Sequence, residues 1–119
     1  MKNFLLALSF VVLAAVTALA ADVSGTWKVD GTVYANPVKF SGALKQQGAT
    51  LSGTATFEDG KAVPVTGSVK ENTVTFEFDA EHEGTTYHLV FTGTLGADGG
   101  LTGTIAVAGV EGTFTATKQ

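Results

Sequence analysis

Carboxylates and histidines are the side chains of this sequence that could carry acid–base or metal chemistry, since the chain has two histidines and no cysteine. Glu77 and His88 flank a short acidic segment, and a hairpin turn at residues 81–84 would set them opposite each other on the outer face of a sheet. Thr66 on the preceding strand would lie beside Glu77, and His82 would lie in the turn. Two ligands are too few for a zinc centre. The pattern therefore predicts cross-strand charge pairing and no metal site.

Two other segments have the composition of ligand-binding loops. The sequence DAEHEG at residues 79–84 begins like a calcium loop, yet glutamate replaces aspartate twice and Val90 stands where the bidentate glutamate is needed. The glycine-rich residues 96–100 could be taken for a phosphate loop, but such loops lead into a helix, and a strand pattern follows here. No spacing of serine, histidine and carboxylate indicates a hydrolytic triad. We expect turns at both segments, and a protein that is not an enzyme and needs no cofactor.

The charge of the chain narrows the classes of partner. It is −4 by formal count, and all seven basic residues are dispersed lysines. Nucleic acids and anionic membrane surfaces bind clustered cations, so no nucleic acid is expected as a partner. Membrane insertion as an outer-membrane barrel is also disfavoured, because threonine and charged residues would face the lipid. We expect a monomer.

The first twenty residues have the pattern of a secretory signal peptide. Lys2 precedes an apolar run over residues 4–16, and Ala18-Leu19-Ala20 supplies the small residues of a cleavage site. A membrane anchor is the alternative, but the run is short for a span of about 20 residues. The sequence predicts a signal peptide over residues 1–20, cleavage after Ala20, and a secreted or periplasmic protein with one domain over residues 21–119.

A short repeat dominates this domain. LSGTATF at residues 51–57 returns as LTGTIAV at residues 101–107, with related copies near residues 24, 92 and 111. Apolar residues alternate with Thr, Ser, Lys, Glu and Asp, which is typical of half-buried strands. Eight such runs, joined by short turns, predict an all-β fold: an eight-stranded antiparallel up-and-down barrel. An open sandwich of two sheets is the alternative.

Glycines and turn residues support the barrel. Seven strands place a glycine in the inward series, where a Cβ would collide inside a narrow, sharply coiled barrel. These are Gly25, Gly42, Gly53, Gly67, Gly93, Gly103 and Gly112. Residues 71–72 and 108–109 are short enough for tight hairpin turns. Residues 31–37 predict a longer first connection, with a bulge or an edge position at Asn36-Pro37.

Inward aromatic residues are the candidate lining of the lumen. They are Trp27, Phe40, Phe76, Phe78, Tyr87, Phe91 and Phe114, and Phe57 is a further aromatic residue of the inward series. An eight-stranded barrel is either filled by its side chains or leaves room for one small ligand, and the sequence leaves both alternatives open. A pocket would be lined almost wholly by carbon, with Tyr87 as its main polar group and access near residues 31–37, and would suit an apolar ligand.

The stretch Gly25-Thr26-Trp27 resembles the first strand of the calycins, the lipocalin and avidin group of eight-stranded barrels. The resemblance implies that Trp27 closes one barrel end beneath a cation from the last strand, a role that falls to Lys118, with Gly25 completing the closure. Val29 and Val33 stand where avidins carry polar residues, so biotin is not an expected ligand. The chain is also similar to exported bacterial barrels rich in glycine and threonine.

Two functions remain after these exclusions. The leading hypothesis is an exported, non-enzymatic barrel that binds a small hydrophobic ligand in its lumen. The alternative is a periplasmic or extracellular protein-binding or inhibitor module with a solid core, which would use its loops and the acidic strip from Glu71 to Glu83 to hold a protein partner.

Overall fold

The predicted alternation is realised as eight antiparallel strands in the computed structural model, which describes residues 22–119. The strands are β1 (Gly25–Val33), β2 (Asn36–Gln47), β3 (Thr50–Phe57), β4 (Ala62–Lys70), β5 (Thr73–His82), β6 (Thr85–Leu95), β7 (Leu101–Val107) and β8 (Val110–Lys118). Each pairs with its neighbours in sequence, and β1 also pairs with β8, which closes the sheet. The barrel prediction is confirmed and the open sandwich is wrong. The predicted signal peptide lies outside the described residues.

Side chains on the barrel alternate between an apolar interior and a polar exterior. On β5, for example, Val74, Phe76 and Phe78 are buried, while Thr73 and Asp79 are exposed. Among residues 22–119 no polar or charged side chain is buried, so the interior holds together by apolar packing and by the backbone ladder around it. Residues 22–119 contain no helix with the length and apolar character that a membrane crossing requires.

Close approach of neighbouring strands explains several glycines. A Cβ on Gly53 would lie 1.9 Å from the carbonyl oxygen of Ala43, and a Cβ on Gly112 would lie 2.1 Å from that of Thr32. The collision predicted for these positions is therefore real, but it occurs against the adjacent strand and not within the lumen. At Gly42 the nearest atom would be 3.8 Å away, in Phe40, so that glycine is not sterically required.

The first connection differs from the sequence prediction. Residues 31–37 do not form a long loop, because β1 and β2 run on to a two-residue turn at Tyr34 and Ala35. Both residues have positive φ, 55° and 62°, as a tight hairpin turn requires. Pro37 forms a regular pair with Thr32 and no bulge. Its nitrogen faces away from β1, on a side where β3 has not yet begun to pair, so no ladder bond is lost.

The meander gives the barrel two unlike ends. We call the end that carries residues 22–24, the turns at 48–49, 71–72 and 96–100, and Gln119 the terminal end. The opposite end carries only hairpin turns, at residues 34–35, 58–61, 83–84 and 108–109, and we call it the hairpin end.

The ladder between β4 and β5 stops before it reaches the hairpin end. Pairing begins at Thr66 opposite Glu77, although both strands continue, over residues 62–65 of β4 and 78–82 of β5. The backbone N–H of Phe57 donates to the carbonyl of Lys61 at 2.8 Å. Because the N–H and C=O groups of one residue point to the same side in an antiparallel ladder, odd-numbered β4 residues bond β3 and the backbone groups of even-numbered ones face β5. The next ladder donor would be residue 64. Because Pro64 has no N–H, the β4–β5 ladder ends there, leaving a seam in the barrel wall.

Candidate functional site

The terminal end is sealed by the residues that precede and begin β1. The side chain of Val23 is fully buried and that of Trp27 is 2% exposed. The indole Nε1–H of Trp27 donates to the carbonyl oxygen of Val23 at 2.9 Å, and the Val23 N–H donates to Oε1 of Gln46 at 2.8 Å. The polar groups of this plug are thus satisfied, as buried polar groups must be.

The three residues predicted to close the barrel lie together at this end. Trp27 pairs with Lys118 across β1 and β8. The Lys118 side chain lies against Gly25, since a Cβ there would be 2.8 Å from Cε of the lysine. Gly25 also has a φ of +136°, a backbone conformation that other residues rarely adopt. The cation–π contact between Lys118 and Trp27 stays a prediction.

The middle of the lumen is filled by a phenylalanine cluster around Phe91, which is fully buried. Phe91 stacks on Phe76 with ring centroids 4.8 Å apart and on Phe78 at 5.5 Å. The rings of Phe40 and Phe114 meet it edge-on at 5.4 and 5.2 Å. These separations are those of favourable aromatic pairs. The five phenylalanines named as candidate lining residues therefore form one packed unit.

A small apolar cavity remains between this cluster and the terminal plug. Its volume is about 10 Å³, which is room for a single water molecule. Its lining consists of Trp27, Val29, Phe40, Gly42, Leu44, Val65, Phe76, Leu101 and Ala116. Of the candidate residues, only Trp27, Phe40 and Phe76 line it. The sequence left a filled core and a hollow pocket open, and the structure has the filled core.

Among residues 22–119, the hairpin end has no plug of this kind. Phe40 and Phe78 are buried there, 5.2 Å apart, and the half-buried ring of Phe57 covers them at 5.6 and 5.8 Å. The surrounding rim is formed by half-buried apolar side chains, which are Val33, Val38, Val63, Ala80 and Val107. We call Phe40, Phe57, Phe78 and these rim residues the apolar mouth. The alternation of apolar residues does not indicate the mouth as a unit, although the predicted access side near residues 31–37 belongs to it.

Tyr87 lies at this end and does not line the cavity, contrary to the sequence expectation. It has the inward parity, opposite Ala80, but β6 pairs with β7 only from Leu89 onward. Tyr87 therefore projects beyond the neighbouring strand and is 36% exposed, while Tyr34 in the first turn is 75% exposed. Both tyrosines of the described chain thus flank the apolar mouth.

The outer face of β5 and β6 carries the predicted charge pairing in a shifted register. His88 is opposite Asp79, whereas Glu77 is opposite Val90; Thr66 does lie beside Glu77 as expected. The turn is two residues long, at Glu83 and Gly84, which moves the register by two positions and leaves the faces unchanged.

His88 contacts both carboxylates. Its Nδ1 is 2.6 Å from Oδ1 of Asp79, and its Nε2 is 2.8 Å from Oε1 of Glu77. The hydrogen bond to Asp79 is the main cause that raises the pKa of His88 above its ordinary value of 6.5, with Glu77 adding to it and desolvation opposing it. Within residues 22–119, no group of three His, Asp or Glu side chains is arranged to hold a metal ion.

Comparison with known proteins gives a structural likeness only. No protein-family model matches the chain, and no curated protein matches it. Among solved structures, a redesigned beta barrel matches at a TM-score of 0.62 with 17% identity, over 82% of this chain and 91% of the other. Two more redesigned beta barrels, mFAP1 and mFAP0, each bound to DFHBI, match at TM-scores of 0.58 and 0.57 with 16% identity. These two matches cover 82% of this chain and 94% and 98% of theirs.

Proposed function

We propose that this protein is an exported, non-enzymatic barrel that binds a small apolar ligand at its hairpin end. The observation that carries the proposal is the contrast between a plugged terminal end and an apolar mouth without a plug. Around the mouth, Val33, Val38, Val63 and Val107 keep part of their apolar surface in water. A ligand that covers this surface gains about 25 cal/mol for each Å² of apolar area removed from water.

The filled lumen favours a ligand on the mouth over one deep inside the barrel. The internal cavity of about 10 Å³ is far below the roughly 300–1,000 Å³ of pockets that enclose a small molecule. The half-buried ring of Phe57 covers Phe40 and Phe78, so it is the ring that a ligand contacts first. A flat ligand that stacks on Phe57 needs no rearrangement of Phe40 or Phe78 beneath it.

The structural neighbours support small-molecule binding by a barrel of this size. Both mFAP1 and mFAP0 hold DFHBI within the same fold, at nearly full coverage of their own chains. For the present chain this is support for the class of function, and the ligand is argued from its own mouth residues.

The experiment is a titration with N-phenyl-1-naphthylamine, a neutral apolar fluorophore, followed by its emission. We expect saturable binding to the natural protein. Val107→Lys places a charge on the apolar mouth and should weaken binding by about tenfold or more, since one buried charge opposes apolar contact. Leu95→Lys makes the same change at a half-buried position of the terminal end and should leave the affinity within about twofold.

Near-ultraviolet circular dichroism establishes that each variant is folded, and Val38→Lys serves as a second mouth variant. The proposal is contradicted if the natural protein shows no saturable binding, or if Leu95→Lys and Val107→Lys weaken the affinity for the fluorophore equally.

The filled lumen also favours the second candidate, a protein-binding module. The exposed carboxylates of Asp79, Glu81 and Glu83 would be its contact surface. This function requires one stoichiometric partner that purifies with the natural protein, and that is lost when the three residues are replaced by their amides.

A further inference from the structure

Charge is distributed unequally between the two ends of the barrel. Four of the described lysines lie in the terminal half, and these are Lys28, Lys45, Lys70 and Lys118. In that half the acidic residues are Asp22, Glu71, Asp98 and Glu77, the last of them near the middle of β5. Every other Asp and Glu lies toward the hairpin end, where the lysines are Lys39, which is paired opposite Asp30, and Lys61. The net negative charge of the protein is therefore concentrated around the apolar mouth.

Four acidic residues of this end lie on the two sides of the seam between β4 and β5. Glu58 and Asp59 belong to the turn that leads into β4, and Glu81 and Glu83 stand where β5 ends. The two groups come from adjacent strands whose ladder has already stopped at Thr66, so they flank the same part of the rim. All four side chains are exposed. They therefore supply negative potential directly beside half-buried carbon.

Aromatic faces at the same end favour the same kind of ligand. Within the described residues 22–119, the large apolar residues that remain exposed are Tyr34 and Tyr87, at 75% and 36%. The face of a tyrosine ring attracts organic cations within about 6 Å of its centre. A tyrosine ring face and a carboxylate both attract positive charge. Together they therefore favour a cation over an anion.

We propose that the ligand of the hairpin end is an amphiphilic organic cation, an amine or quaternary ammonium attached to a flat apolar body. The body stacks on Phe57 above Phe40 and Phe78, and the ammonium lies at the β4–β5 seam between Glu58 and Glu81. This inference rests on the proposed function and adds the chemical class of the ligand. A fatty acid or another apolar anion would meet the same carboxylates with its own negative charge and is disfavoured.

The test is displacement of N-phenyl-1-naphthylamine by three competitors with one shared ring system: 2-naphthylmethylamine, 2-naphthylmethanol and 2-naphthoate. At neutral pH these are a cation, a neutral molecule and an anion. We expect the cation to displace the probe at a concentration about tenfold below that of the anion, with the neutral molecule between them. In 0.5 M salt this gap should shrink to about twofold, because exposed charges are screened.

Variants then assign the preference to named residues. Glu81→Gln should reduce the cation's advantage about threefold, and Glu58→Gln with Glu81→Gln should nearly remove it, while the affinity for the neutral probe is unchanged. Glu71→Gln makes the same change in net charge at the terminal end and should leave the advantage intact.

The outcomes separate this inference from the function on which it rests. A protein that does not bind the neutral probe contradicts both. If the protein binds the probe but has equal affinity for 2-naphthoate and 2-naphthylmethylamine, only the inference of a cationic ligand is overturned. An equal effect of Glu71→Gln and Glu81→Gln also overturns it, because the preference would then come from overall charge and not from the seam.

Discussion

The two ends of this barrel are built on the same wall but are finished in opposite ways. At the terminal end Trp27, Val23 and Gln46 form a hydrogen-bonded plug with its apolar atoms buried. At the hairpin end Phe57 and the surrounding valines remain half-exposed, and carboxylates surround them. Apart from the β4–β5 seam, the closed ladder satisfies the backbone of the wall independently of either end. The difference shows that the buried, hydrogen-bonded closure is confined to one end of the barrel axis, so we expect the hairpin end to tolerate changes that the terminal end does not.

The largest effect that tests this difference is the loss of the plug. Trp27→Ala should lower the free energy of unfolding by about 3–5 kcal/mol, because it empties a buried site and leaves the Val23 carbonyl without its donor. Phe57→Ala at the hairpin end should lower it by roughly half that amount or less, since its ring is only half-buried. Urea unfolding followed by circular dichroism measures both.

The same pair of variants should show the reverse order in ligand binding. Phe57→Ala removes the ring on which the proposed ligand stacks, whereas folded Trp27→Ala retains the mouth. Equal losses of stability, or equal losses of probe affinity, would mean that the ends are not specialised.

Substitution of wall glycines should reduce stability to a similar extent in both halves of the barrel, unlike the substitutions at its two ends. Gly53→Ala in the terminal half and Gly112→Ala in the hairpin half each force a Cβ onto a neighbouring carbonyl oxygen. Each should be destabilised by about 1–3 kcal/mol, the range for overpacking. Gly42→Ala, whose new methyl group meets only Phe40 at 3.8 Å, should be neutral or slightly stabilising because alanine restricts the unfolded chain. A Gly42→Ala variant as unstable as the other two would contradict this account of the glycines.

The smallest effect concerns pH and the hairpin end alone. Because the pKa of His88 is raised above 6.5 in the folded state, its stabilising contribution is fully present below pH 6.5. The contribution is lost as the pH rises through the folded-state pKa. Titration of the His88 ring by NMR should give a pKa above 6.5, and Asp79→Asn should move that pKa downward. A ring that titrates at or below 6.5 in the natural protein would refute the assignment. The matched comparison for stability is His88→Gln, which should flatten this part of the pH dependence.

The sequence was sufficient for the wall of the barrel because its information is periodic. Inward positions such as Val29, Phe91 and Ile105 follow from alternation, and alternation fixes which face each side chain takes. The register of single hairpins is less secure. The first turn was not predicted, because Tyr34 and Ala35 occupy the two positive-φ positions that asparagine and glycine usually fill. The acidic residues before Gly84 looked like part of a turn, although they extend β5, and this shifted His88 by two positions.

The candidate site was harder to predict, for reasons that are three-dimensional. Whether aromatic volume compensates for inward glycines depends on how Phe76, Phe91 and Phe114 stack, and alternation carries no such information. Tyr87 has the parity of a lining residue, but the stagger between β6 and β7 places it beyond the wall. The apolar mouth likewise exists only because strands of unequal length end at different heights.

The proline that ends the β4–β5 ladder also bears on how copies of this protein behave toward each other. Residues 78–82 of β5 pair with β6 but are unpaired on the side toward β4. Such an open edge is a template on which a strand of another molecule can add, the first step of edge-to-edge aggregation. Asp79 and Glu81 stand along that stretch, so an approaching second copy would bring identical negative charges face to face. The carboxylates proposed to attract a cationic ligand would thus also oppose edge-to-edge polymerisation, and a variant in which they are neutralised should aggregate more readily.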